Sequence, residues 1–73
     1  MKAILLVDHG SMRREANEMM IDVMNLVQRM AGNDIVVRYA HMELAEPTIA
    51  HGFASIGNCH TVIILNLSHE MAT

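Results

Sequence analysis

A chain of 73 residues, 52% hydrophobic and 18% charged with a formal net charge of −3, makes at most one small domain (1–73) and presents no basic run for nucleic acid. Its single cysteine, Cys59, excludes an internal disulfide and fits a reducing compartment. The N-terminal apolar run Ala3–Val7 is too short for a secretion signal or a membrane span. The expected setting is therefore soluble and intracellular, with the cytoplasm as the expected compartment.

Residues 3–7 form an unbroken aliphatic run closed by Asp8-His9-Gly10-Ser11, the pattern of a parallel strand buried on both faces. Ser11 is placed to cap the helix that follows. From there to about Ala31 the apolar residues Ala16, Met19, Met20, Val23, Leu26, Val27 and Met30 fall on one helical face. Gly32-Asn33 offers a left-handed exit. Residues 35–40 (IVVRYA) read as a second strand. Pro47 suits a first helical position, and Thr48–Ile56 a second helix burying Ile49, Phe53 and Ile56. Gly52 within it costs roughly 1 kcal/mol relative to Ala. Gly57-Asn58 ends that helix, and residues 61–65 (TVIIL) give a third strand.

The order β-α-β-α-β predicts an α/β fold: a three-stranded parallel sheet in the order 2-1-3, with one helix on each face. Each face would be thinly covered and an edge strand left bare, so a homo-oligomer or a complementing chain is expected. Eight methionines against two aromatics, Tyr39 and Phe53, make the core adaptable in shape.

Ligands of open parallel sheets bind beyond the carboxyl ends of the strands. His9 follows the first strand, His41 and Glu43 the second, and His69 the third. Imidazole with carboxylate suits borderline first-row metals. The residues alone leave alternatives open: His9 serves equally as a turn residue, Glu43 as a solvated loop acid, and His41 as a local hydrogen-bonding group. His51, His60 and Cys59 read as structural or solvated. Arg13 and Arg14 stand in the first turn of the long helix, where the macrodipole disfavours cations. They either serve an anionic ligand or pair with Glu15 and Glu18.

Two stretches resemble a known family. Residues 3–11 (AILLVDHGS), continued by Arg13-Arg14-Glu15-Ala16-Asn17, are similar to the opening of the small sirohydrochlorin chelatases of the CbiX/SirB type. Residues 40–49 (AHMELAEPTI) resemble that family's second signature. The resemblance implies a flavodoxin-like fold, of which this chain is the N-terminal part, a truncated half-domain. It implies insertion of Co2+, Fe2+ or Ni2+ into a sirohydrochlorin-type tetrapyrrole, with the metal as substrate and no organic cofactor. By position, His9 is the metal-binding and catalytic histidine and Glu43 the carboxylate beside it. Ser11, Arg13 and Arg14 fall where the substrate's carboxylates would bind. His69 is the remaining candidate ligand, although it comes several residues before the family's second catalytic histidine in a gap-free match. The alternative is a non-catalytic metal- or tetrapyrrole-binding remnant.

Overall fold

The structure, a computed structural model, describes residues 1–58 and 61–67. In chain order it contains β1 (Lys2–Asp8), α1 (Arg14–Ala31), β2 (Ile35–His41), α2 (Ile49–Ile56) and β3 (Thr61–Asn66). All three strands are parallel, in the order β2-β1-β3. The expected α/β topology and strand order are therefore observed.

β1 takes the centre because its side chains tolerate burial on both faces. Ala3, Leu5 and Val7 pack with Ala40 and Ile56 on the α2 side. Leu6 packs with Val37 and Met20 on the α1 side, joined by Val23, Met24, Val27 and Ala31. The strand register runs from Lys2↔Ile35 to Asp8↔His41 on one edge of β1 and from Lys2↔Thr61 to Val7↔Asn66 on the other.

α1 is the expected long helix, with its buried stripe turned from the expected one. Met20 is its one buried residue, whereas Met19, Leu26 and Met30 are exposed. The helix carries more apolar positions than a narrow sheet can cover. Contact with Leu6 and Val37 selects Met20, Val23, Met24, Val27 and Ala31.

Ser11 does not cap α1. The first helical residue is Arg14, and Arg13 at the N-cap makes no side-chain capping bond. Ser11 instead closes the preceding turn: its hydroxyl accepts from the Arg13 N–H at 3.0 Å. Asn17, one turn into the helix, accepts from the Ser11 N–H at 2.9 Å and donates to the Ser11 carbonyl at 2.6 Å.

At the other end Gly32 has φ +86°, as the Gly-Asn pair predicts, and its N–H returns to the Gln28 carbonyl. The Gln28 amide then ties helix to strand. Its nitrogen donates to the carbonyls of Gly32 and Ile35, and its oxygen accepts from the Val37 N–H.

α2 begins one residue later than expected. Thr48 is its N-cap, accepting from the His51 N–H, and Pro47 lies outside the helix with its carbonyl taking the His41 N–H at 2.8 Å. Gly52 and Ile56 are the buried residues of α2, while Ile49 and Phe53 are exposed. Gly52 faces the sheet: a Cβ there would lie 2.9 Å from the Ala40 Cβ and 3.0 Å from a Leu5 methyl. Its lack of a side chain is what lets this short helix settle on the strands, offsetting its poor helix propensity.

Both helices lie over β2 and β1. On β3, Ile63, Ile64 and Leu65 stay 49, 52 and 41% exposed, so each face of the sheet is uncovered at that edge. Replacing Gly52 with Val should lower the unfolding free energy by about 2 kcal/mol through overpacking against Ala40 and Leu5. Urea unfolding of this variant beside Gly52→Ala, for which a smaller loss is expected, checks that origin.

Candidate functional site

The carboxyl ends of β1 and β2 form the site's floor. Their last paired rung is Asp8↔His41, and the pairing continues into the loops beyond it. The Met42 N–H donates to the Asp8 carbonyl at 2.8 Å, and the Glu43 N–H to the His9 carbonyl at 3.0 Å. The main chains of His9 and Glu43 are thereby hydrogen-bonded neighbours at the rim. Both residues are exposed.

Gly10 makes this approach possible. Its φ is +87°, and a Cβ on it would lie 1.9 Å from the Glu43 carbonyl oxygen and 3.1 Å from the His41 Cβ. No other residue fits between the two loops without moving one of them. Leu44, just past Glu43, turns the chain away with φ +72°, a left-handed conformation that side chains other than Gly, Asn and Asp adopt with strain.

Beneath the rim lies a polar pair. Asp8 Oδ1 accepts from His41 Nδ1 at 2.5 Å and from the Gly10 N–H at 3.0 Å. The His41 side chain is fully buried, and its ring makes a T-shaped contact with Tyr39, 5.6 Å between centroids and 76° between planes. Its other nitrogen, Nε2, is sealed from solvent with no hydrogen-bond partner among the described residues. His41 is thus a buried partner of Asp8, a role that inspection of the second strand did not assign. The signal was available: Asp8 and His41 each close a strand, and the two strands were expected to be parallel neighbours.

Two clefts open beside this floor. One, of about 460 Å³, runs between the β1 loop and α1, bounded by His9, Ser11, Asn17, Met19, Met20 and Leu67. Its wall is mostly apolar, with His9 and Asp8 at the polar end. The other, of about 360 Å³, lies between α1 and the loop after β2, where Arg14, Glu18, His41, Leu44 and Glu46 meet. Arg14 borders the second cleft; Arg13 and Glu43 border neither. Neither arginine has an ion-pair partner among the described residues, where the two pairs are Asp8–His41 and Glu46–His51. The expected solvated role of His51 is consistent with its exposed contact to Glu46.

Among the described residues no three His, Cys, Asp or Glu side chains gather to hold a metal ion. His69, like His60 and Cys59, lies outside the described residues.

The model of the CbiX family matches residues 3–67, a span that contains the whole of this floor and both clefts. The chain belongs to the CbiX family. A curated relative, the chloroplastic sirohydrochlorin ferrochelatase of Arabidopsis thaliana, is 47% identical over 51 residues, covering 70% of this chain and 22% of that protein. The chain therefore spans about a fifth of the relative it matches. Among the described residues no helix is long and apolar enough to cross a membrane.

Within the matched span Gly10 is a point of close approach between residues 3–11 and 40–49. Gly10→Ala should cost at least about 2 kcal/mol, from the positive φ together with the clash against Glu43. In a domain this small such a loss should appear in circular dichroism as a large drop in melting temperature or no cooperative melt.

Proposed function

We propose that this chain takes part in inserting a divalent metal into a sirohydrochlorin-type tetrapyrrole, with His9 and Glu43 as the metal-handling residues. The supporting observation is the Glu43 N–H···O=C His9 bond, which makes the two residues neighbours on the open side of the rim. Neutral imidazole and ionised carboxylate are the forms that ligate a first-row metal. Two protein ligands hold such an ion loosely and leave positions for the macrocycle's nitrogens. Two pyrrole protons must leave as the metal enters. His9 and Glu43 stand as their acceptors, each taking up a proton as its bond to the metal is given up.

The apolar cleft between the β1 loop and α1 suits one face of a macrocycle, with Met19 and Met20 against the ring and His9 at its edge. The substrate's peripheral carboxylates would meet Arg13 and Arg14, which are exposed, lack acidic partners among the described residues and stand at the start of α1. Ser11, in the same turn, offers a hydroxyl. The name of the Arabidopsis relative favours iron as the metal, with cobalt and nickel as the alternatives. His69 is the candidate third ligand.

Metal-dependent absorbance changes of sirohydrochlorin, followed with Fe2+ or Co2+, test this reading. His9→Ala should drop the rate to the non-enzymatic background, a loss of about 100-fold or more for a positioned acid–base group. A His9→Ala variant as fast as the unaltered chain would refute the assignment.

A second reading, metal or tetrapyrrole binding without turnover, is favoured by the absence of a three-ligand cluster among the described residues. It predicts Co2+ binding that needs His9 and Glu43, with no acceleration of metallation.

The exposed apolar side chains of β3 favour a homo-oligomer built through that edge. Sedimentation across a concentration series should show self-association, and Ile64→Lys should abolish it. A chain that stays monomeric throughout would overturn this part.

A further inference from the structure

We propose that Asp8 and His41 are positioning residues for His9 and Glu43: a part-buried pair that fixes the two loops carrying the metal-handling groups. This rests on the reading of His9 and Glu43 given above. Among the described residues the Asp8–His41 contact is the one side-chain hydrogen bond between β1 and β2, and it lies on their last rung. Asp8 Oδ1 also takes the Gly10 N–H, so the residue after His9 and the His41 ring are bound to one carboxylate oxygen of the residue before it. The His9 carbonyl is held in turn by the Glu43 N–H. The main chain around His9 is thus held by three contacts, one of which depends directly on His41. Glu43 follows His41 by two residues, with Gly10 lodged against its carbonyl and against the His41 Cβ. A shift of the His41 ring would move both loops.

Stability does not account for a histidine at this position. The side chain is fully buried, and Nε2 is left without a partner among the described residues. An unmet buried polar atom is destabilising, and apolar replacements of a buried polar pair are often neutral or stabilising. What the pair supplies that apolar side chains cannot is direction. The imidazole is a rigid plane braced by Tyr39, with Nδ1 aimed at one carboxylate oxygen. Supporting hydrogen bonds behind metal-handling groups typically account for 10–100-fold in metal affinity or activity.

The test compares the unaltered 73-residue chain with Asp8→Val/His41→Leu, His41→Asn and His41→Gln. Three quantities are measured: melting temperature, Gly10 amide hydrogen exchange and Co2+ affinity. The double variant should melt at or above the unaltered chain, yet exchange the Gly10 amide faster and bind Co2+ about tenfold more weakly. His41→Asn, which keeps a donor near the Nδ1 position, should retain both properties. His41→Gln, whose amide falls near the Nε2 position, should lose them. A double variant with unchanged Gly10 protection and unchanged Co2+ affinity overturns the proposal. If the double variant does not fold, equal behaviour of the Asn and Gln variants overturns it. A His9→Ala control separates the two ideas. Should it bind Co2+ as well as the unaltered chain does, the metal-handling assignment fails, and Gly10 exchange alone decides whether the pair holds the loops.

Discussion

Parallel pairing between β1 and β2 continues for two residues beyond the sheet, and the candidate site depends on that continuation. Past the Asp8↔His41 rung the strands would normally diverge into separate loops. Here the Met42 and Glu43 N–H groups reach back to the Asp8 and His9 carbonyls, and Gly10 leaves room for the Glu43 carbonyl to press in. The constraint is steric before it is chemical. A side chain at position 10 would force the loops apart, and His9 and Glu43 would then face solvent on separate loops. Placing functional groups on loops held by a rigid sheet is the usual solution in open α/β folds. In a sheet of three strands, the rigidity has to come from the loop ends themselves.

The energetic character of the floor differs from that of the core around it. Leu5, Leu6 and Val37 are buried against aliphatic neighbours, and their contribution grows with the apolar area removed from water. The Asp8–His41 pair, equally deep at His41, gains little by burial and leaves Nε2 unmet among the described residues. Leu44, with its positive φ, adds backbone strain within three residues of His41. Strained backbone and under-satisfied polar atoms persist where surrounding structure over-determines them, and they gather at functional sites. Both features here fall within the two segments that resemble the chelatase signatures.

The elements were legible in the sequence because each carries a strong local signal. The double-sided run of β1, the amphipathic period of α1 and the glycine exits at Gly32 and Gly57 all point the same way as the final fold. What local pattern could not decide was which of several equivalent choices the tertiary structure would select. α1 offers apolar side chains around more than half its circumference, so its phase was settled by Leu6 and Val37 and not by its own periodicity. Ser11 has the chemistry of an N-cap, but Asn17 bonds both its main-chain groups and draws it into a turn ahead of the helix. Pro47 has the fixed φ of a first helical residue, yet its carbonyl is claimed by the end of β2. Of the site, the residues at strand ends were visible and their division of labour was not. His41 and Glu43, two apart, look interchangeable as strings of letters; register with Asp8 buries one and leaves the other at the surface.

On the proposed function, that division would bear on how a loosely held metal is handled. A chelatase must bind the ion firmly enough to orient it and weakly enough to give it up to four ring nitrogens. If both imidazoles at this edge were open to the ion, the site would hold it more tightly and transfer would slow. On the proposed roles, sequestering His41 behind Asp8 would remove one strong donor from the rim while using its rigidity to help place another. Among the described residues no side chain of β2 lines the apolar cleft beside α1. Selectivity for transfer over storage would then come from which histidine the register buries, a property set by the pairing of two strands and by one glycine.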